Sequence, residues 1–211
     1  MPHLGHKTCI YYHCAATNQN VKPMNPLHFF LFIVLAAAQA LALWPIPRSL
    51  QTGSSFVKLS PSFDIELNGI SKPPSDLVDA ISRTLYHLKK DRLQRLVVGR
   101  GDVDRGDVAK SPTLSKLMLS LNGGQVKSIM EEATKPIGNR SEEYSLTVPS
   151  NGDAATISAK STLGLLRGLT TFEQLFYFDG VGTLYTHQTP VAITDSPAYA
   201  CLHSPKAHLT N

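Results

Sequence analysis

The sequence predicts an α+β domain of two layers, and three observations lead there. Short β-like runs with one apolar face alternate unevenly with helical segments. No internal repeat period emerges. The chain has 211 residues, 42% hydrophobic and 17% charged, enough for one core and too apolar for wholesale disorder.

Residues 1–23 are polar and hold Cys9 and Cys14, two of the three cysteines. Residues 27–43 are charge-free and Ala-rich, but their strongly apolar part is shorter than the roughly 20 residues a membrane span needs. Ala38, Ala40 and Ala42 supply A-x-A cleavage patterns. Residues 24–42 are therefore expected to be a signal peptide starting at Met24, with residues 1–23 a doubtful upstream extension. A membrane tether through residues 27–43 is the weaker alternative. Secretion, or delivery to a vacuolar or lysosomal lumen, follows, without a stable membrane span. The mature chain would keep 18 of the 20 basic residues and all 16 acidic ones, a net charge of +2. Its single cysteine, Cys201, allows no internal disulfide, so the core must hold the domain.

The mature chain opens with Leu43-Trp44-Pro45-Ile46-Pro47, whose prolines favour an extended path. Strand-like runs follow at residues 56–59 and 63–67. In the second, Phe63, Ile65 and Leu67 alternate with Asp64 and Glu66, so one face should be buried. Asn68-Gly69 marks a turn. Pro73-Pro74 introduces a helix with Ser75 or Asp76 as N-cap candidates and Leu77, Ile81, Leu85 and Leu88 as its apolar stripe. Lys89, Lys90, Arg92 and Arg95 near its end suit the helix dipole and read as a solvated face. Residues 99–110, rich in Gly, Asp and Arg, read as a loop. Leu117, Leu119 and Leu121 alternate into a strand that Asn122-Gly123-Gly124 ends. Residues 144–148 predict another strand, 149–153 a turn, and 155–159 its hairpin partner, where Thr156 and Ile157 favour β structure. A helix capped by Ser161 or Thr162 is expected to run to Phe176, with Leu165, Leu169, Phe172 and Phe176 on one stripe. Residues 190–195 form a last short strand.

Little of this carries chemistry. The net charge of +4 is spread out, with no basic run interleaved with aromatics, so nucleic-acid binding has no support. Arg100-Gly101-Asp102 and Arg105-Gly106-Asp107 repeat an integrin-type tripeptide, but Gly and Asp are common in turns and a solvated loop explains them without a receptor. Asp102, Asp104 and Asp107 lack the ligand spacing and terminal Glu of an EF-hand. The eight histidines have no zinc spacing, and His87 reads as a helix-surface residue. Glu131-Glu132 and Glu142-Glu143 are adjacent, whereas glycosidase carboxylates come from separate elements. No catalytic, cofactor-binding or metal residue is expected. Asn139-Arg140-Ser141 is a sequon, making Asn139 a candidate glycosylation site in a secreted chain.

The string Gly164-Leu165-Leu166-Arg167-Gly168-Leu169-Thr170-Thr171-Phe172-Glu173-Gln174-Leu175 resembles the helix that closes the N-terminal domain of eukaryotic β-N-acetylhexosaminidases, the family 20 glycoside hydrolases. Leu43-Trp44-Pro45-Ile46-Pro47, Tyr144-Ser145-Leu146-Thr147-Val148 and Ile193-Thr194-Asp195-Ser196-Pro197-Ala198-Tyr199 match the same domain in order, and the signal and spacing look fungal. The resemblance implies a small zincin-like domain over residues 43–199, a sheet with helices on one face, without metal. In the family a barrel follows, opened by an Arg-Gly motif and carrying an Asp-Glu pair. The substrate's own acetamido oxygen is the nucleophile, and the enzyme removes terminal N-acetylhexosamine from glycans or chitin oligomers. Residues 200–211 match nothing in the family and are expected to be an aberrant tail in place of the barrel. The chain alone would then be inactive. The resemblance gives Arg167 and Glu173 packing and domain-contact roles, and implies an exposed apolar flank at Phe176, Tyr177 and Phe178 where the barrel would sit. The alternative is a standalone secreted scaffold that associates with a full-length hexosaminidase.

Overall fold

The computed structural model describes residues 43–123 and 125–196. The expected extension, signal peptide and tail, and Cys201, lie outside them. The elements run β1 (Ser49–Asn68), α1 (Ser75–Lys90), α2 (Gly101–Lys110), β2 (Thr113–Leu121), α3 (Ile129–Ala133), a 3-10 turn (Ile137–Asn139), β3 (Tyr144–Val148), β4 (Ala155–Ala159), α4 (Thr162–Glu173), β5 (Tyr177–Phe178) and β6 (Leu184–Asp195). The result is the expected α+β architecture, built on a mixed sheet of order β1-β2-β4-β3-β6-β5.

Long β1 fuses the two expected runs into one strand. Its first half pairs antiparallel with β6, and from Lys58 onward it pairs parallel with β2. Between Leu59↔Leu114 and Asp64↔Lys116, β1 advances five residues while β2 advances two, so β1 bulges outward. Ser60-Pro61-Ser62 builds that bulge. Pro61 has no N–H to offer a ladder, and the Ser62 amide donates to Ser60 Oγ at 3.1 Å.

Alternation on β2, β3 and β4 turns Leu117, Leu119, Leu146 and Ile157 to one buried face. Helix α4 lies across that face, with Leu165, Leu169 and Phe172 fully buried and Phe172 stacked on Phe63 at 5.9 Å. Ser161 caps α4, its Oγ accepting from the Gly164 amide at 3.1 Å, as one of the two cap candidates promised. The helix ends at Glu173, short of the expected Phe176. Helix α1 packs beside α4, and the Thr84 hydroxyl donates to Glu173 Oε1 at 2.5 Å. Its N-cap is Pro74, not Ser75 or Asp76. Asp76 serves α3 instead, accepting from the Met130 amide at 3.0 Å.

Three further expectations fail. Arg95, expected on a solvated face, turns inward onto Asp104. The 99–110 loop is helix α2, although its sequence offers only Gly101, Asp104 and Val108 for burial. Tertiary contacts impose it: a Cβ on Gly101 would sit 2.7 Å from the Asp179 backbone, and Asp104 is tied inward. The apolar flank near Phe176 is also not open. Phe176 is buried and Tyr177 and Phe178 are half-buried, while Leu93, Leu96, Val98 and Val181 stand exposed.

Candidate functional site

Each adjacent carboxylate pair splits between separate cations. Glu131 takes Lys127 at 2.7 Å and Glu132 takes Lys135 at 2.5 Å. Glu142 takes Arg167 Nε at 2.8 Å and Glu143 takes Lys160 at 3.0 Å. Glu173 faces Thr84 and the Nδ1 of half-exposed His87. Arg167 and Glu173 therefore both make polar contacts within the domain. The tripeptide repeats sit in and before α2, where Asp102 pairs outward with Arg105 while Asp104 points inward, so these two aspartates diverge. Among the described residues no three His, Cys, Asp or Glu side chains converge on a point. Asn139 is exposed at the end of the 3-10 turn.

The motif segments meet at one end of the domain. The Trp44 amide donates to Gln174 Oε1 at 2.7 Å, and the Arg48 amide to Asp195 Oδ1 at 3.1 Å. Tyr144 Oη lies 2.6 Å from Thr171 Oγ1 and donates to Asp195 Oδ2 at 3.5 Å. Burial is the main reason that phenol titrates above its ordinary value. Tyr144, Thr171, Gln174 and Asp195, together with Glu142 and Arg167, border a cavity of about 330 Å³. The arrangement is a clasp: it ties the opening segment and α4 to the end of β6.

A second cluster escaped sequence reasoning. Gln188 has φ 64, and the β1–β6 register shifts opposite it, so β6 exchanges faces there. Tyr185 and His187 thus turn away from the main core, toward α2. Arg95 Nη1 donates to both Asp104 oxygens at 2.8 Å, and Tyr185 Oη donates to Asp104 Oδ2 at 2.5 Å. Phe56 and Tyr177 wall the group in. Burial, then the bond to Asp104, pushes the Tyr185 phenol far up. The expected last strand covers only residues 190–195, whereas β6 begins at Leu184, so Tyr185 and His187 carried no strand signal in the sequence. Asp179 was missed too: its Oδ1 accepts from the Val181, Gly182 and Thr183 amides, each at 2.9 Å, and sets the turn into β6. Burial opposes ionisation of Asp179, but these amides outweigh it and hold the carboxyl below its usual range.

His187 is 7% exposed and its Nδ1 has no hydrogen-bond partner. Burial first, and then the Arg95 charge, lower its pKa to about 4. The imidazole is neutral in the fold but protonates near pH 6.5 when unfolded, so the unfolded state binds the extra proton between those values. Stability should fall as pH drops from 6.5 to about 4 and then level off, a loss of roughly 3 kcal/mol. Urea unfolding of wild type and His187→Leu at pH 7.5 and 4.5 checks this. The variant should lose distinctly less on acidification, and equal losses refute the assignment.

Among the described residues no helix is long and apolar enough to cross a membrane. The family model described as "beta-acetyl hexosaminidase like" matches residues 43–175. Mouse beta-hexosaminidase subunit beta is 32% identical, over 80% of this chain and 29% of its own length. Rat beta-hexosaminidase subunit alpha is 30% identical, over 83% of this chain and 32% of its own. A beta-hexosaminidase of Emericella nidulans is 43% identical over a shorter stretch, 28% of this chain and 10% of its own. The structure of a Flavobacterium johnsoniae chitobiase superposes with TM-score 0.47 at 22% identity, covering 75% of this chain and 21% of that one. The chain spans less than a third of the length of these curated relatives. The chain therefore belongs to the beta-acetyl hexosaminidase-like family, with its hexosaminidase N-terminal-like domain at residues 43–175.

Proposed function

We propose that this chain supplies the non-catalytic N-terminal domain of a secreted β-N-acetylhexosaminidase, an enzyme that removes terminal N-acetylhexosamine from glycans or chitin oligomers. The clasp carries this reading. The signature side chains Gln174, Tyr144 and Asp195 bind the opening segment and one another, and Arg167 pairs with Glu142. Glycoside hydrolysis needs acid and base groups set across one bond. Here the motif residues brace the end of β6, which suits a supporting domain. The exposed Asn139 fits a lumenal, glycosylated setting.

The purified chain should give no turnover of a chromogenic N-acetylglucosaminide. Activity that stays with the chain through purification to homogeneity would overturn the reading. A second reading, association with a full-length hexosaminidase, draws support from the exposed Leu93, Leu96, Val98 and Val181. It fails if the chain neither co-purifies with such an enzyme nor alters its kinetics.

A further inference from the structure

The bulge in β1 opens a cleft of about 420 Å³ between that strand, the end of α1 and the turn before β6. Its apolar wall is formed by Leu59, Phe63, Leu85, Leu88 and Leu184. Lys58, Lys89 and Arg92 line it as well, and no carboxylate does. None of these three cations lies within ion-pair distance of a carboxylate among the described residues. Arg92 is held in place, its Nη1 donating to the Lys89 and Asp91 carbonyls at 3.1 and 3.0 Å and its guanidinium 4.7 Å from the Phe178 ring centre. Lys58 Nζ is anchored on the Ala109 carbonyl at 3.2 Å. Ser60, Thr113 and Thr183 also line the cleft. The size is that of a small-molecule pocket, and an apolar wall with a few placed polar groups is the usual composition of one.

We propose that this cleft binds a small anionic amphiphile, a single acyl chain ending in a carboxylate. The chain lies against Leu59, Phe63 and Leu88, and the carboxylate meets Lys89 and Arg92. Both cations are surface residues, so charge complementarity and not burial selects the head group. The site is independent of the clasp and of any hexosaminidase chemistry.

Titration calorimetry of the full chain with dodecanoate, below its micelle concentration, tests this. Wild type should bind one equivalent saturably, and the uncharged methyl ester should bind about tenfold more weakly, the scale of one charge-assisted hydrogen bond. Lys89→Glu and Arg92→Ala should each weaken dodecanoate by a similar factor while the chain stays cooperatively folded, its thermal midpoint lowered by a few degrees at most through the lost helix-end and Phe178 contacts. Absence of saturable binding, equal binding of the ester, or unchanged affinity in both variants would overturn the proposal. So would concentration-dependent dimerisation in sedimentation that Lys89→Glu abolishes, which would assign the cleft to a second copy of the chain.

Discussion

Asp104→Ala is expected to lower the stability of the domain by about 3–5 kcal/mol, the cost of breaking a buried ion pair from one side. The Asp104 side chain is 4% exposed and that of Arg95 17%. Removing the carboxylate strands the Arg95 guanidinium and the hydroxyl of Tyr185, which is wholly buried. Desolvation already suffered by both groups then goes uncompensated. Helix α2 should suffer first, because its sequence supplies few other buried contacts. Asp104→Asn keeps the shape and an acceptor for Tyr185 but loses the charge, so its loss should be intermediate. The double variant Arg95→Leu/Asp104→Ala should recover part of the loss, since no charge is left stranded. Urea unfolding at pH 7 supplies all three numbers. A loss below about 1 kcal/mol for Asp104→Ala would mean the cluster is wet and energetically minor.

The contrast between this cluster and the β3–β4–α4 unit shows what could be read from the residues. For β3 and β4 the period-two pattern, the turn at 149–153 and the β-branched Thr156 and Ile157 agree, and the strands fall at the expected residues. In α4 the stripe and the Ser161 cap agree as well. Local and tertiary preferences point the same way there. In α2 they oppose each other, since two glycines and scattered aspartates say loop until Asp104 meets Arg95 and Tyr185. Those partners lie 9 and 81 positions away, a distance no local pattern spans. The β1 bulge was half legible. The gap between the two expected runs marks it, but that β1 continues through it depends on β2 and β6 pairing on opposite sides. The clasp was legible only as spelling. Its segments were recognised one by one, and folding brings Trp44 against Gln174 across 130 positions.

Gly168 is the position in α4 where spelling and packing coincide most closely. A Cβ there would lie 2.6 Å from Ile157 Cγ2 and 3.3 Å from Tyr144 Cδ2. One turn earlier, a Cβ on Gly164 would lie 2.6 Å from the Glu143 carbonyl oxygen and 2.9 Å from Ala159 Cβ. The two glycines let the helix backbone rest on the β3–β4 hairpin, which brings Leu165, Leu169 and Phe172 into the core. Helix propensity alone favours Ala over Gly by about 1 kcal/mol. Overpacking costs about 1–3 kcal/mol and should win, so Gly168→Ala is expected to destabilise by about 1–2 kcal/mol. Gly168→Leu adds three more carbons at the same point and should lift α4 off the sheet, a loss of about 4 kcal/mol or more. Gly106 in α2 is the control. It too is helical, but nothing lies within 4 Å of its Cβ position, so Gly106→Ala should gain up to about 1 kcal/mol. Thermal melts of the three variants separate the causes. If Gly168→Ala stabilises as Gly106→Ala does, close approach is not why glycine occupies position 168.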